Sequence, residues 1–322
     1  MSIARRYLTG YPMRVLVWRD GAGALAGVAA LSVIGDRPPI RPIRQLALWG
    51  TIGPRMRGLT DVLARDDVRT EVLDGFAAWL RGNKEWDALR VVRPQHGSPT
   101  PGRLRQEAQA TGWTYRPYTN VRSTTFQLDL PADEEGWAKH LGSKARKVMR
   151  WEMRKFADFR TGVVKPAVEG AELTEALESI ERLLHERWGD NEVYFVNDSE
   201  FRGLLHETVP ALVEHRGAWV STARDQSGVR AVLITFAQNG YAMAFMIAMT
   251  TDPDYSKFSL GKHIFDAGLA EAVRRGCHNY DFLWVGGYKE SFWHATPREL
   301  ESAIVGRGLL GRLATRLLAG RF

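Results

Sequence analysis

The chain has 322 residues, with 44% hydrophobic and 25% charged content, which suits a globular protein of two moderate domains. It shows neither a signal-peptide core nor an apolar run of about 18 residues, so we expect a cytoplasmic protein without an integral membrane segment. The single cysteine, Cys277, excludes an internal disulfide and a cysteine-based metal site, and the net charge of +7 indicates an anionic partner such as a nucleotide, a nucleic acid or a membrane surface.

The first part of the chain has the pattern of an antiparallel meander followed by a helix and a strand. Alternating apolar runs predict strands at residues 14–18, 25–34 and 45–49. Helical spacing of apolar residues predicts a helix over 67–81, and the next strand is predicted at 86–92. A short helix over 103–111 and a strand over 124–130 follow.

The middle of the chain is rich in predicted helices, and the most basic of them covers residues 142–159. Lys147, Arg150 and Arg154 fall on one of its faces, opposite apolar residues. This charged face is either a contact for phosphate or nucleic acid, or simply a solvated outer surface. Helices over 173–188 and 199–214 come next, and Pro210 is expected to kink the second.

The last part repeats the meander pattern. Strands are predicted at 218–223, 229–237 and 241–249, joined by good hairpin turns. A helix over 261–275 leads to an apolar strand over 280–285, and Gly286 and Gly287 end that strand. The polar residues Tyr288, Lys289 and Glu290 then follow as a turn where a core strand opens, which is where α/β sheets usually bind ligands. A last strand is predicted at 300–305 and a short helix at 309–318.

The two halves of the chain resemble each other. Residues 72–92 align with 264–285, so that three residues of the first half have counterparts in the second: Asp74 with Asp266, Trp86 with Tyr280, and Asp87 with Asp281. Self-similarity on this scale predicts two copies of one α/β domain. We place them at residues 1–135 and 136–322, and expect the active site in the second copy, where Gly-Gly-Tyr-Lys replaces the Arg-Pro-Gln of the first.

The order of these features resembles the double-domain GNAT-fold acyltransferases named after the cellulose-biosynthesis protein CelD, which are relatives of the FemAB aminoacyltransferases. The resemblance spans residues 14–305 and depends on the order of several short motifs. These are 128–131, Ser143 with Arg146, Arg150 and Arg154, then His185, Arg187 and Trp188, then 259–261, then 281–283, and Tyr288-Lys289 with Trp293. Members of this family usually have several tens of residues of helix before the first strand, so we expect either that the first domain lacks its first helices or that the true start lies upstream.

The resemblance implies tandem GNAT-like domains, each a mostly antiparallel mixed sheet flanked by helices, and acyl transfer from a thioester or ester to an amine or hydroxyl. Acetyl-CoA or another acyl-CoA is the expected donor, with no metal. Ordinary GNAT enzymes hold the donor pyrophosphate on closely spaced glycines at a helix start. Here that segment supplies one glycine, and the expected donor-binding residues are Lys257, Ser259, Gly261 and Lys262.

The expected catalytic residues are Asp281, Lys289 and Tyr288. Lys289 matches a lysine that lies near the reacting carbonyl in the FemAB relatives, and its charge would stabilise an oxyanion or a carrier phosphate. Asp281 is the leading base, because burial raises the pKa of a carboxyl; the alternative is a structural acid that accepts backbone hydrogen bonds. Tyr288 is expected either to protonate the leaving group or to pack. The residues expected to contact the acceptor are His185, Arg187, Trp188, Arg146 and Arg150.

Three classes of function remain open at this point. The first is an acyl-CoA-dependent transferase that acts on a polysaccharide, a cell-envelope precursor or a related small acceptor. The second is a FemAB-like transferase that uses aminoacyl-tRNA, with the basic helix as the tRNA contact. The third is a non-catalytic partner of an exopolysaccharide synthase. A peripheral membrane contact is compatible with the basic charge.

Overall fold

The computed structural model describes residues 13–34, 43–48, 60–118, 124–189, 202–283 and 288–318. Within these ranges the strands are β1 Met13–Arg19, β2 Leu25–Ile34, β3 Gln45–Leu48, β4 Leu63–Ala64, β5 Ala88–Val91, β6 Thr114–Tyr118, β7 Thr124–Asp129, β8 Val163–Lys165, β9 Ala218–Asp225, β10 Gly228–Gln238, β11 Tyr241–Met249, β12 Asn279–Asp281, β13 Thr296–Glu299 and β14 Ser302–Gly306. The α-helices are α1 Arg69–Gly82, α2 Thr100–Thr111, α3 Glu134–His140, α4 Gly142–Asp158, α5 Gly170–Trp188, α6 Val209–Glu214, α7 Leu260–Arg274, α8 Tyr288–Trp293 and α9 Gly308–Leu318.

The chain divides into two compact units. The first contains Met1–Thr124 together with Arg298–Phe322, and the second contains Thr125–Pro297. The predicted domains 1–135 and 136–322 therefore differ from these units at both ends of the second one. The physical reason is that β14, whose Ala303, Ile304 and Val305 are fully buried, pairs with strands of the first unit.

In the first unit the described strands form a mixed sheet in the order β1-β2-β3-β5-β14-β6, with β4 paired to β2. The meander β1 to β3 is antiparallel, and β5 then pairs in parallel with β3 after the crossover helix α1. Phe76 and Leu80 of α1 are buried against this sheet. The C-terminal strand β14 lies between β5 and β6 and is antiparallel to both.

The second unit repeats this arrangement with the described strands in the order β13-β7-β12-β11-β10-β9-β8. Here β9 to β11 form the antiparallel meander, and α7 is the crossover to β12, which runs parallel to β11. β7 lies beside β12 and is antiparallel to it, in the position that β14 has in the first sheet. The predicted fold class, α/β with two mixed sheets flanked by helices, is confirmed.

Opposite faces of the second sheet carry different helices. Ile264, Phe265 and Leu269 of α7 and Phe156 of α4 share one buried cluster with Leu233 and Tyr280. Leu177, Ile180 and Leu184 of α5 share the other cluster with Val232 and Ile234. The sheet is thus covered on both faces, and the ends of its strands are where side chains and ligands can meet.

Most predicted elements appear where their patterns place them, but the stretch after α7 differs from the prediction. The strand predicted over 280–285 ends at Asp281, because Leu283 adopts a left-handed conformation with φ +56°. Tyr288, Lys289 and Glu290, predicted as a polar turn, begin helix α8. Within the helix predicted over 199–214, residues 202–214 are helical, and a π-helical segment, Leu204–Thr208, leads directly into α6 just before Pro210.

Candidate active site

The parallel strands β11 and β12 are paired over only three residues. Tyr241, Ala242 and Met243 face Asn279, Tyr280 and Asp281. β12 then ends, whereas β11 continues to Met249 and shifts register against β10 through a bulge at Phe245. Among the described strands, Ala244 to Met249 therefore pair only with β10. β11 and β12 thus separate as paired strands after Met243 and Asp281, and an edge of β11 without a partner among the described strands is suited to an extended ligand.

The N-terminus of α7 follows β11 after a short 3₁₀ helix, Pro253–Phe258. Ser259 precedes α7 in a left-handed conformation, φ 48° and ψ 40°, and its carbonyl accepts from the Lys262 N–H at 2.8 Å. The Ser259 hydroxyl does not cap the helix but donates to Glu152 Oε1 at 2.9 Å. The first N–H groups of α7, those of Leu260 and Gly261, have no acceptor within the helix and are suited to an anion.

The four predicted donor-binding residues gather around this helix start. Lys257 is exposed, and its ammonium lies 5.0 Å from the Phe159 ring centroid and 5.2 Å from that of Phe258. The Lys262 ammonium lies 5.1 Å from the Phe292 ring centroid. Two cations therefore flank Ser259 and Gly261, and none of the described carboxylates forms an ion pair with either of them. Their contacts are compatible with a phosphate-bearing donor.

Asp281 is fully buried at the end of β12 and accepts four hydrogen bonds. Gln127 Nε2 donates to Oδ2 at 3.1 Å and the Leu283 N–H donates to Oδ1 at 2.6 Å, while the hydroxyls of Thr125 and Tyr241 are the other donors. The carboxylate thus ties β7, β11 and β12 together where the strands separate. Burial and the Asp281 charge both raise the pKa of Tyr241, which keeps its hydroxyl protonated as a donor.

Lys289 is only 2% exposed and lies in the first turn of α8. Its ammonium lies 4.5 Å from the Phe265 ring centroid and 5.1 Å from that of Phe282, and in the described part of the chain it forms no ion pair. Burial lowers the pKa of Lys289 to about 7, against a weaker opposing effect of the Asp281 charge. A buried ammonium that titrates near neutrality, held by aromatic faces, is a strong candidate for a functional group.

A buried acid–histidine pair beside Ser259 was not predicted from the sequence. Glu152 Oε2 lies 3.3 Å from His263 Nε2, and both side chains are almost fully buried. Burial lowers the pKa of His263 more than the neighbouring Glu152 raises it. The signal was available: Glu152 lies on the apolar face of α4, between Met149 and Phe156, where an acid needs a partner.

The predicted acceptor residues lie in two places. His185 and Arg187 are exposed in the last turn of α5, next to the partly buried Trp188, and the Arg187 guanidinium lies 5.2 Å from the Trp188 ring centroid. The unpredicted Glu186 between them fixes this turn to the end of β11, because it accepts from Thr250 Oγ1 at 2.7 Å and from the Thr251 N–H at 2.6 Å. Although burial opposes it, these hydrogen bonds lower the pKa of Glu186.

Arg146 and Arg150 lie on the basic face of α4, and among the described residues they donate hydrogen bonds only to backbone carbonyls of their own helix, those of Gly142 and Arg146 respectively. No described carboxylate pairs with any of the α4 cations Lys144, Arg146, Lys147, Arg150, Arg154 and Lys155. The exposed Trp151 carries the Lys155 ammonium 3.7 Å from its ring centroid. The face is therefore an uncompensated positive surface with an aromatic residue in it.

The predictions for Tyr288, for the end of the strand over 280–285, for a metal site and for a membrane span remain to be compared with the described residues. The Tyr288 side chain and residues 284–287 are outside the described part. Within it, no group of three or more His, Cys, Asp or Glu residues is arranged to hold a metal ion. No helix of the described residues has the length and apolar character needed to cross a membrane.

Comparisons with known proteins identify a family that part of the chain matches and solved structures that share its fold. A family model described as acetyltransferase (GNAT) domain matches residues 143–292. No curated protein sequence matches the chain. Among solved structures, the crystal structure of FemX has a TM-score of 0.65 at 12% identity and covers 98% of this chain and 92% of its own.

Two further structures show the same fold. A conserved protein of unknown function from Bacteroides thetaiotaomicron has a TM-score of 0.56 at 10% identity, covering 94% of this chain and 88% of its own. The C-terminal domain of a putative lysylphosphatidylglycerol synthetase from Agrobacterium fabrum has a TM-score of 0.51 at 11% identity, covering 99% and 91%. The acetyltransferase (GNAT) family model thus matches residues 143–292 of the second unit, and the chain is an enzyme that transfers acyl groups.

Proposed function

We propose that the second unit transfers an acyl group from acetyl-CoA or another acyl-CoA to an amine or hydroxyl of a polysaccharide, a cell-envelope precursor or a related small acceptor, as in CelD-like enzymes. The observation that carries this proposal is the start of α7, with its free N–H groups, beside the point where β11 and β12 separate. CoA-linked donors are cytoplasmic, and the proposal places the enzyme there.

The donor would lie along the free edge of β11. Its phosphates would meet the N–H groups of Leu260 and Gly261, with Lys257 and Lys262 on either side. The amide-bearing arm of the donor would pair with the backbone of residues 244–249, which have no strand partner on that side among the described residues. This places the thioester near the end of β12.

Lys289 would act on the thioester once the acceptor attacks it. When the attacking atom bonds to the carbonyl carbon, negative charge develops on the carbonyl oxygen, and a buried ammonium stabilises that charge more strongly than an exposed one does. The C–S bond then breaks, the acceptor gives up its proton to water, and the adjacent Tyr288 is proposed to protonate the leaving thiolate and to regain its own proton from water. The charged form of Lys289 is the one that this role requires.

Asp281 is better suited to positioning than to taking the acceptor's proton. Four donors occupy its oxygens, so a fifth proton would have to displace one of them. We propose that it fixes β7 and β11 around the reacting centre. His185, Arg187 and Trp188 stand at the end of β11 that Glu186 holds, and we propose that they contact the acceptor.

A second candidate function is transfer from aminoacyl-tRNA, and the basic face of α4 favours it. Arg146, Arg150 and their neighbours are uncompensated, and the exposed Trp151 offers a surface on which a base can stack. The structures of FemX and of a domain of a putative lysylphosphatidylglycerol synthetase share this fold, which supports the second candidate. A non-catalytic role in an exopolysaccharide synthase complex is the third reading.

Binding experiments separate these three candidate functions. The affinity of the full chain for acetyl-CoA is measured by isothermal titration calorimetry for wild type and for Gly261→Asp. This substitution adds a negative charge at the phosphate site, and an aspartate is well tolerated at a helix N-terminus. We expect about tenfold weaker binding in the variant. Gly102→Asp, in the first turn of α2 with open space around it, is the matched control and should bind normally.

The outcomes are distinct. Equal affinity in wild type and Gly261→Asp contradicts the donor site at α7. No acetyl-CoA binding together with salt-sensitive binding of tRNA, lost in Arg146→Gln/Arg150→Gln, supports the second candidate. Neither ligand binding, with a stable complex with a synthase, supports the third.

A further inference from the structure

Helix α9 of the first unit is anchored by one narrow face. Its buried residues Gly311, Ala314, Thr315 and Leu318 recur on one side of the helix and pack on the sheet. Gly311 approaches so closely that an added Cβ would collide with the Asp87 carbonyl. The helix is thus firmly seated, and its orientation fixes what it presents to solvent.

The opposite face presents four leucines to solvent. Leu309 is 83% exposed, Leu313 is 47% exposed and Leu317 is 42% exposed, each one turn after the previous one, and Leu310 beside them is 39% exposed. Residues four apart are neighbours on a helix surface, so these side chains form one continuous apolar strip. Exposed leucines scattered singly need no explanation, but a strip of this kind marks an interaction surface.

The charges around the strip select the partner. Arg312 and Arg316 are exposed one turn apart along one edge of the leucines, and α9 contains no acidic residue. Arg116 of the edge strand β6 is also exposed, and it lies on the sheet face that α9 covers, because Tyr118, two residues later, packs with Ala314 and Leu318. No described carboxylate forms an ion pair with any of these three arginines. The strip is therefore apolar with a positive edge.

We propose that α9 docks the protein on an anionic membrane surface, with its leucines inserted at the headgroup boundary and its arginines contacting lipid phosphates. An amphipathic helix with leucines on one face and arginines beside them lies in the plane of such an interface. A second copy of this chain fits less well, because a symmetric contact would bring Arg312 and Arg316 near their own copies. This proposal is independent of the acyl donor.

Vesicle flotation of the full chain tests the proposal. Vesicles of phosphatidylcholine with about one third phosphatidylglycerol should bind the protein, and vesicles of pure phosphatidylcholine should bind it far less. Arg312→Gln/Arg316→Gln should weaken binding roughly 30-fold, since each arginine near an anionic surface contributes about fivefold. Leu309→Ser/Leu313→Ser/Leu317→Ser should reduce binding at least about tenfold. Because these side chains are exposed, the variants should fold, as circular dichroism would verify.

The matched control is Val15→Ser/Val17→Ser, which removes two exposed apolar side chains of β1, 54% and 51% exposed, and should bind vesicles normally. Absence of binding to anionic vesicles by the folded wild type overturns the proposal. So does binding that the α9 variants leave unchanged. A dimer in sedimentation equilibrium that the leucine variant dissociates would assign the strip to a second copy instead.

Discussion

The two crossover units of this molecule, α1 with β5 and α7 with β12, have the same topology but place matched residues in opposite environments. Asp74 on α1 is 57% exposed and pairs with Arg103 at 2.7 Å. Its counterpart on α7, Asp266, is mostly buried and accepts from Trp137 Nε1 at 3.2 Å, and burial raises the pKa of Asp266 to about 6. Asp74 is thus compensated by a cation, whereas no cation of the described residues forms an ion pair with Asp266.

The acids at the start and end of the two strands differ in the same way. Asp87, just before β5, accepts from the Arg44 backbone N–H at 2.9 Å and from its guanidinium at 2.9 Å, and these bonds lower the pKa of Asp87. Asp281, at the end of β12, has four uncharged donors and forms no ion pair with any cation in the described ranges. A repeat can therefore keep its topology while the matched acids pair with cations in one copy and accept hydrogen bonds from uncharged donors in the other.

The largest expected effect is the loss of turnover on replacing Lys289, a lysine that has no counterpart in the first unit. Lys289→Met keeps the apolar stem and removes the ammonium, so we expect about a 100- to 1000-fold loss of turnover. Turnover is measured as release of free thiol from acyl-CoA with acceptor present. The melting temperature should not fall, because the variant no longer buries a charge.

Lys139→Met, which removes an exposed lysine paired with Glu135, is the control and should keep wild-type turnover. If turnover of Lys289→Met stays within a few-fold of wild type, Lys289 contributes packing alone. Lys289→Arg should not restore the rate, because a planar, delocalised guanidinium does not supply the compact charge of an ammonium.

The next effect compares the stabilities of Asp281→Asn and Asp87→Asn. In Asp281→Asn an amide NH2 group replaces a carboxylate oxygen among four donors, which leaves buried donors unpaired and costs about 3 kcal/mol. We expect the melting temperature to fall by roughly 6–12 °C. Asp87→Asn weakens a pair with the half-exposed Arg44 and should lower it by only about 2–4 °C. Equal losses in differential scanning calorimetry would remove the distinction between the two acids.

The pH dependence of the reaction rate, with an expected change of about tenfold per pH unit, tests the charge state of Lys289. Its pKa falls to about 7 in the folded protein from an ordinary 10.5. If the charged form stabilises the oxyanion, the rate falls as pH rises through about 7. A rate that rises through the same pH would make Lys289 a base instead.

The same pKa of Lys289 has a consequence for stability. Between about pH 7 and 10.5 the unfolded chain binds more protons at this lysine than the folded chain does, so this group makes the free energy of unfolding rise with pH over that window. Lys289→Met should remove this slope. Chemical denaturation at several pH values measures it, and an unchanged slope would show that the ammonium is not buried in solution.

Local patterns were enough to predict much of this structure. β2 and β11 begin and end at the residues predicted, 25–34 and 241–249, because hairpin turns and alternation define them locally. The placement of β14 in the first sheet and of β7 in the second depends on contacts between residues far apart in the chain, which periodicity does not carry. The differences between the two repeats led us to predict the active site in the second copy.

The candidate site was predicted less completely than the fold. Lys257, Ser259, Gly261 and Lys262 gather at one helix start because they are close in sequence. Glu152 and His263 come together only through the packing of α4 on α7, so the sequence did not connect them. The four donors to Asp281 come from β7, β11 and the residues after β12, and only the assembled sheet shows that its carboxylate is fully engaged.

The smallest expected effect concerns Asp266 and its counterpart Asp74. The pKa of Asp266 is raised to about 6, so the folded chain binds more protons at this carboxyl than the unfolded chain does between about pH 4 and 6. Its contribution to stability is therefore present below about pH 4 and is lost as pH rises through 6. At pH 7.5 the buried charge costs about 2–3 kcal/mol, which Asp266→Asn removes.

Asp266→Asn also introduces a buried amide NH2 group, which costs about 1–2 kcal/mol at every pH. The net gain at pH 7.5 is about 1 kcal/mol, so the melting temperature should rise by roughly 2–4 °C, and at pH 4 the variant should melt below wild type. Asp74→Asn removes an exposed ion pair worth at most about 1 kcal/mol and should show no such crossing. Melting curves of both variants at the two pH values decide the matter: if Asp266→Asn and wild type differ by the same amount at both, the Asp266 carboxyl is hydrated in solution, and the two helices of the repeat present their acids alike.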